Sequence, residues 1–259
     1  MPVLIRPWGH LHFTDEGPKT APTILFANSL GTDLRMWEGV TRLLPNRCIR
    51  FDKRGHGLSA TPVDDWTVQD IASDTVALLD HLNIAKATIA GCSVGGMVAQ
   101  AFGIHHPTRA HALILSNTAA RIGTDESWQA RITAIETAGI ASIADTILDR
   151  WFPQPFRASP DALPWRTMLL RADPAGYIQT CRALSRVDLR AGLATLTLPT
   201  LLIAGSEDQS TPPALVQETA ARIPGAHLTV LQGSGHIPAI DAPKATAQAI
   251  AAFLRGLND

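Results

Sequence analysis

Thr88-Ile89-Ala90-Gly91-Cys92-Ser93-Val94-Gly95-Gly96-Met97-Val98-Ala99-Gln100 is an apolar run that ends in Gly-x-Ser-x-Gly and passes straight into a helical pattern. That is the form of a nucleophile elbow, in which a serine sits on a sharp, strained strand-to-helix turn. The flanking glycines let the two backbones approach closely, and the turn aims the hydroxyl at the N-terminal end of the following helix. Free N–H groups at that end favour a developing oxyanion. A pattern of this length arises by chance in roughly one chain in ten of this size. The surrounding sequence therefore decides its meaning.

Upstream of the elbow, residues 3–6 and 10–14 read as short strands closed by the Asp15-Glu16-Gly17-Pro18 turn. The run 22–27 reads as a strand covered on both faces and ends in the loop Asn28-Ser29-Leu30-Gly31-Thr32-Asp33. Trp37, Val40, Leu43 and Leu44 recur at helical spacing until Pro45 stops them. Residues 48–51 form another strand candidate, running into Asp52-Lys53-Arg54-Gly55-His56-Gly57-Leu58-Ser59. Thr67, with Asp70 three residues on, opens a helix with a capping-box pattern. Residues 87–90 are the strand before the elbow, and 110–115 a further buried strand.

The rhythm changes after Asn117. Residues 128–137, 140–152, 162–171 and 177–184 are helical in pattern, punctuated by Pro153, Pro155, Pro160, Pro164 and Pro174. A segment this apolar and patterned is not a disordered loop. Strands at 200–204 and 227–231 then alternate with helices at 213–223 and 241–254, where Asp241 reads as the N-cap and Pro243 as first turn. The expected architecture is α/β: a mostly parallel sheet flanked by helices, with a helical cap inserted after the sixth strand. The core comprises residues 1–117 and 194–259, and the cap residues 118–193.

Composition narrows the class. Apolar residues make up 46% of the 259, ample for a core, and charged residues 17%, below the usual quarter or so. Net charge is −1 with Lys and Arg scattered, which argues against nucleic acid or an anionic membrane as partner. Cys48, Cys92 and Cys181 lie far apart and odd in number, so reduced thiols in a cytoplasmic protein are expected. Neither a signal-peptide pattern nor an apolar stretch of membrane-spanning length is present.

In a parallel sheet, ligand groups gather at the C-terminal strand ends. A serine hydroxyl needs a base, and the base needs a third group to orient it. Downstream of Ser93, the strand 200–204 ends in Gly205-Ser206-Glu207-Asp208, and the strand 227–231 leads to Gly233-Ser234-Gly235-His236. Serine, acid, histidine is one of the chain orders in which such a triad is written. Glu207 and Asp208 compete for the acid; the Gly-x-x-Asp spacing favours Asp208. Of nine histidines, His236 alone lies in a Gly-rich loop after the last strand. His56, with Asp52 and Arg54, is read as shaping its loop. The oxyanion donors expected are the backbone N–H groups of Val94, after the nucleophile, and Leu30, in the loop after the third strand.

At these residues the chain resembles the α/β-hydrolases over its whole length, and within them the 3-oxoadipate enol-lactonases. The resemblance rests on Asn28-Ser29-Leu30-Gly31-Thr32-Asp33-Leu34-x-Met36-Trp37 and Asp52-x-Arg54-Gly55-His56-Gly57-x-Ser59. It rests also on Asn117-Thr118-Ala119-Ala120-Arg121-Ile122-Gly123 with Trp128, Arg131, Arg150, Trp151 and Phe152. Asn28-Ser29 stands where His-Gly is common in the wider superfamily, a departure that the lactonases share. The resemblance implies hydrolysis of 3-oxoadipate enol-lactone to 3-oxoadipate, a step of bacterial aromatic degradation, without metal or organic cofactor. The substrate is a small acidic lactone whose carboxylate suits an arginine fork. Arg131 and Arg150, with Trp128 and Trp151 alongside, are the candidates to bind it. Ser93 at the elbow argues against the aspartate-nucleophile epoxide hydrolases and haloalkane dehalogenases. Another serine hydrolase (carboxylesterase, other lactonase or C–C bond hydrolase) fits the triad equally well, and a hydrolase-fold ligand sensor can retain it.

Overall fold

The computed structural model describes residues 1–257. Its eight strands are β1 (Val3–Arg6), β2 (Gly9–Glu16), β3 (Thr23–Ala27), β4 (Arg47–Phe51), β5 (Ala87–Cys92), β6 (Ala110–Ser116), β7 (Thr200–Gly205) and β8 (His227–Leu231). They form one sheet in the order β1-β2-β4-β3-β5-β6-β7-β8. β1–β2 and β2–β4 pair antiparallel, and every later neighbour pairs parallel. The mostly parallel sheet flanked by helices is as the sequence predicts.

Continuous apolar runs became the strands buried on both faces. Every residue of β3, β5 and β7 is buried, while β1 and β8 at the edges are half-exposed. Ile24, Leu25, Ile89, Leu202 and Ile203 are wholly excluded from solvent, and burial of a side chain of this size contributes about 1.5–3 kcal/mol. Register then aligns the strand ends: Ala27 lies beside Gly91, Cys92 beside Ser116, Ser116 beside Ile203, and Gly205 beside Leu231. The loops that follow β3, β5, β6, β7 and β8 therefore leave from one edge.

Helix starts follow local chemistry. Thr67 caps Val68–His81, its side chain accepting from the Asp70 N–H while the Asp70 carboxylate accepts from the Thr67 N–H. Between β6 and β7 the chain is helical, with main helices Asp125–Ala138, Ala144–Trp151, Leu163–Leu170 and Pro174–Arg186. Asp125–Ala138 packs on Pro174–Arg186. Pro174, one of the prolines marked as punctuation, is the first residue of its helix. Asp173 caps it by accepting from the N–H groups of Ala175 and Gly176, a place where proline's missing N–H is no loss. The helix expected through Trp37 and Leu44 is instead a 3-10 turn, Leu34–Trp37, and one α-turn, Glu38–Thr41. Gly39 lies within that α-turn, where a Cβ would crowd the Pro243 ring.

No helix among the described residues is long and apolar enough to cross a membrane. Asp241 is not the N-cap of the last helix. It ends a short turn, Pro238–Asp241, and Pro243–Arg255 starts after Ala242 with no side-chain cap. Proline at the first helical position leaves one fewer N–H to cap, and the Asp241 carboxylate is taken by another task. It accepts from Ser234 Oγ at 2.6 Å and from the Gly235 N–H at 2.7 Å, gripping the loop just before His236.

Burial pushes the Asp241 carboxyl up to about 6, against the opposing pull of the Ser234 and Gly235 hydrogen bonds. The unfolded chain returns this group to about 3.9. Between those values the folded state holds the extra proton, so Asp241 costs stability increasingly as pH rises from about 4 to about 6. Asp241→Asn carries no such penalty. Its urea midpoint, relative to wild type, should move upward when both are remeasured near neutrality instead of near pH ~4. Two midpoint curves that stay parallel across that window contradict the assignment.

Candidate active site

The turn between β5 and the helix Val94–His105 is built around Ser93, which adopts φ 56° and ψ −119°. That backbone is strained for an L-residue by about 1–3 kcal/mol. It is over-determined here. The Ser93 N–H donates to Ser116 O at 3.0 Å, and Ser93 O accepts from Met97 N at 3.0 Å and Thr118 Oγ1 at 2.7 Å. A Cβ on Gly91 would collide with the Gly95 carbonyl, and one on Gly95 with the Ala27 carbonyl. The glycines thus let β3, β5 and the helix crowd together under the serine.

His236 is held on its main chain from two sides. Its N–H donates to Trp151 O at 2.8 Å, and its carbonyl accepts from Cys92 Sγ at 3.4 Å. On its side chain, Nδ1 lies 3.0 and 2.9 Å from the two carboxylate oxygens of Asp208. Glu207 is exposed and takes no part. With Nδ1–H committed to Asp208, Nε2 is the nitrogen left for chemistry. Ser93 and His236 line the same cavity of about 440 Å³. Among the described residues the Ser93 hydroxyl has no hydrogen-bond partner in the protein, and such contacts commonly tighten only when substrate binds.

Asp208 is almost completely buried, which by itself would raise its pKa. The net direction is nevertheless downward, because His236, Thr211 and Asn117 favour the charged form. Oδ1 accepts from the Ser210 and Thr211 N–H groups at 2.7 and 3.0 Å, and Oδ2 from Thr211 Oγ1 at 2.6 Å and Asn117 Nδ2 at 2.9 Å. A carboxylate so surrounded stays ionised in the interior. Asn117 also donates to Gly235 O at 3.1 Å, joining acid and histidine loop from a left-handed backbone (φ 46°). Neither Asn117 nor Thr211 is among the candidates that the sequence singles out. The Asp-Gln-Ser-Thr spacing, a side-chain turn pattern, was the available signal for Thr211.

In the loop after β3, the Ser29 N–H donates to Met36 Sδ, that of Gly31 to His56 Nε2, and that of Thr32 to Ser29 O. The buried Leu30 N–H alone of these four has no acceptor, and Leu30 lies on the cavity wall with Ser93. Val94 opens the elbow helix, where N–H groups lack intrahelical acceptors. His56 has the loop-shaping part expected of it. Its Nδ1–H donates to Arg54 O at 3.1 Å, and burial, with Lys53 adding to it, keeps its pKa well below the usual histidine value. Asp52 accepts from the Leu34 and Leu58 N–H groups and from His12 Nδ1, and Arg54 pairs with the buried Asp74.

Trp128, Arg131, Arg150 and Trp151 all line the cavity that holds Ser93 and His236. The Arg131 guanidinium stands 5.1 Å over the Trp128 ring. Neither Arg131 nor Arg150 is ion-paired among the described residues, and no Asp or Glu lies on the cavity wall. No group of three or more His, Cys, Asp or Glu among the described residues is arranged to hold a metal ion.

Comparison with known proteins places this geometry. A family profile described as the alpha/beta hydrolase family matches residues 24–249. The chain is 36% identical to 3-oxoadipate enol-lactonase 2 of Acinetobacter baylyi over 252 residues, spanning 96% of this chain and 94% of that protein. It is 37% identical to 3-oxoadipate enol-lactonase 1 of the same organism over 246 residues, spanning 93% and 92%. The crystal structure of the enol-lactonase from Burkholderia xenovorans LB400 superposes with a TM-score of 0.94 at 34% identity, covering 98% of this chain and all of that one. With the elbow, the strand-end carboxylate and the histidine loop in these positions, the chain belongs to the alpha/beta hydrolase family.

Proposed function

We propose that this protein opens the ring of 3-oxoadipate enol-lactone by hydrolysis to give 3-oxoadipate, as a step in the breakdown of aromatic compounds. Two relatives above 35% identity carry that activity in their names. The observation that carries the reading further is the charge of the cavity. The wall that presents Ser93 and His236 also presents Arg131 and Arg150, with no carboxylate to neutralise them. An unpaired guanidinium in a partly enclosed site is matched by a substrate carboxylate, which it can take in a two-point fork. Three unpaired, buried cysteines suit a reducing compartment, and the reaction is assigned to the cytoplasm.

Ser93 Oγ attacks the lactone carbonyl carbon as its proton passes to His236 Nε2. Charge gathers on the carbonyl oxygen, where the N–H groups of Leu30 and Val94 receive it. Asp208 keeps His236 in the Nδ1–H tautomer and stabilises the imidazolium that forms. The tetrahedral intermediate collapses by breaking the bond to the ring oxygen. The leaving enolate, a weaker base than an alkoxide, takes the proton from His236 and tautomerises to the ketone. Water then gives a proton to Nε2 and attacks the acyl-serine carbonyl. Collapse of that second intermediate returns the proton to Ser93 and frees the acid.

Ser93→Ala should fall in kcat on the enol-lactone by at least about 10⁴-fold, followed as loss of the substrate's ultraviolet absorbance. Wild-type protein that cleaves aryl esters but leaves the enol-lactone at its spontaneous decay rate removes the proposal. Arg131→Ala should raise KM for the acidic lactone by roughly 10–100-fold, the range for a hydrogen-bonded charge, and Arg150→Ala, whose guanidinium is exposed and screened, by only about 2–5-fold. KM for a neutral aryl ester should barely change. If both variants keep the wild-type KM for the lactone, its carboxylate is held by other groups.

A further inference from the structure

Lys53 occupies the unassigned position of the Asp52-x-Arg54-Gly55-His56 motif, and it is wholly excluded from solvent. A fully buried lysine is rare unless paired with an acid, yet Lys53 makes no ion pair among the described residues. Its Nζ donates instead to a backbone carbonyl, Ser29 O, at 2.6 Å. Burial holds its pKa well below the usual lysine value, while Asp52 and Asp33 pull the other way. Either protonation state can donate this hydrogen bond.

That carbonyl is unusually well served. Ser29 O also accepts from Thr32 Oγ1 at 2.9 Å, from the Thr32 N–H at 3.3 Å and from Asn28 Nδ2 at 3.4 Å. Four donors converge on one side of one peptide unit. No peptide bond among the described residues is cis, and in a planar trans peptide the C=O of one residue and the N–H of the next point in opposite directions. Fixing Ser29 O therefore fixes where the Leu30 N–H points. That N–H, unlike those of Ser29, Gly31 and Thr32, has no acceptor, and Leu30 lies on the wall of the cavity that holds Ser93.

We propose that Lys53 is a positioning residue of the oxyanion hole: through Ser29 O it anchors the Ser29–Leu30 peptide so that the Leu30 N–H faces the carbonyl oxygen of a bound ester. Two effects follow from the one contact. The donor is held in place before the reaction, so no reorganisation is needed as charge develops. Hydrogen bonds received at the peptide oxygen also polarise the amide and strengthen its N–H as a donor. Leu30 cannot be altered to test this, because the group that acts is main chain. Lys53 and Thr32 are the side chains through which it can be reached.

The inference rests on the Ser93 site being hydrolytic and not on the identity of the lactone. Its test therefore uses a p-nitrophenyl ester and a p-nitrophenyl alkylphosphonate, which phosphonylates an activated serine. Lys53→Met keeps the side chain as far as Cε and leaves Ser29 O its Thr32 donors, while relieving the burial of an amine. Its melting temperature should equal or exceed that of wild type. Its kcat and its phosphonylation rate should both fall about tenfold, less than the loss of an oxyanion donor itself, with KM changed by less than about twofold. Thr32→Val, which removes a second donor from the same carbonyl, should show the same split between kcat and KM in smaller measure, and it serves if Lys53→Met does not fold. Unchanged kcat and phosphonylation in the variants overturn the proposal, as does a loss that tracks a lowered melting temperature. Wild-type protein that is not phosphonylated at Ser93 removes the hydrolytic reading itself, and the Lys53 proposal with it.

Discussion

Ser93 holds a backbone conformation that an L-residue leaves when it can, and much of the surrounding packing exists to prevent that. The strain of about 1–3 kcal/mol is opposed by three hydrogen bonds on its N–H and carbonyl. It is opposed also by glycines at Gly91 and Gly95, which let Ala27, β5 and the elbow helix meet at distances no Cβ would allow. Relaxing the turn would break the register in which Ala27 lies beside Gly91 and Cys92 beside Ser116. Because those pairings set the height of the strand ends, the serine, the Leu30 loop and the Asp208 loop share one frame.

The histidine is positioned differently. Its loop follows an edge strand, β8, that is only half-buried, so the sheet alone gives it little rigidity. The deficit is met from four directions. Asp241 takes the Gly235 N–H, Asn117 the Gly235 carbonyl, Trp151 the His236 N–H and Cys92 the His236 carbonyl. Trp151 belongs to the helical segment between β6 and β7, so the segment that carries Arg131 and Arg150 also holds His236, the proposed base. A movement of that segment large enough to break the Trp151 contact would disturb recognition and proton transfer together.

Sequence made legible what depends on a residue's own neighbours along the chain. β3, β5 and β7 were visible as continuous apolar runs because both faces of each strand are covered. The Thr67 capping box was visible because both partners lie within four residues. The choice of Asp208 over Glu207 followed from spacing to the strand end, which sets how far the loop has risen. Contacts between distant segments left no such mark. Asp241 looked like an N-cap because it precedes a proline-started helix, yet its carboxylate serves a loop six and seven residues upstream. Lys53 sits 24 residues from the carbonyl that it holds, in a motif whose other members are recognisable, and nothing near it in the chain marks it as buried. Asn117 stood in a recognisable stretch, but its bridge to Asp208 and Gly235 spans 91 and 118 residues.

Reactivity and recognition draw on different kinds of group, and this bears on turnover. In the mechanism proposed, stabilisation of the oxyanion falls to main-chain N–H groups at the sheet edge, which cannot titrate, and recognition of the substrate carboxylate falls to two arginines on helices. Hydrolysis of the proposed substrate adds a second carboxylate to a molecule that already has one, so a cavity bearing two positive charges would hold the product more firmly than the lactone. Two features oppose that. Arg150 is exposed and its attraction is screened by solvent and salt, so it can guide an anion without trapping it. The new carboxylate forms beside Ser93 and His236, at the end of the cavity nearest to the ionised Asp208, whose charge is buried and little screened. Once His236 is neutral again at the end of deacylation, that negative charge is no longer masked by an imidazolium. It then favours departure of the product over its retention.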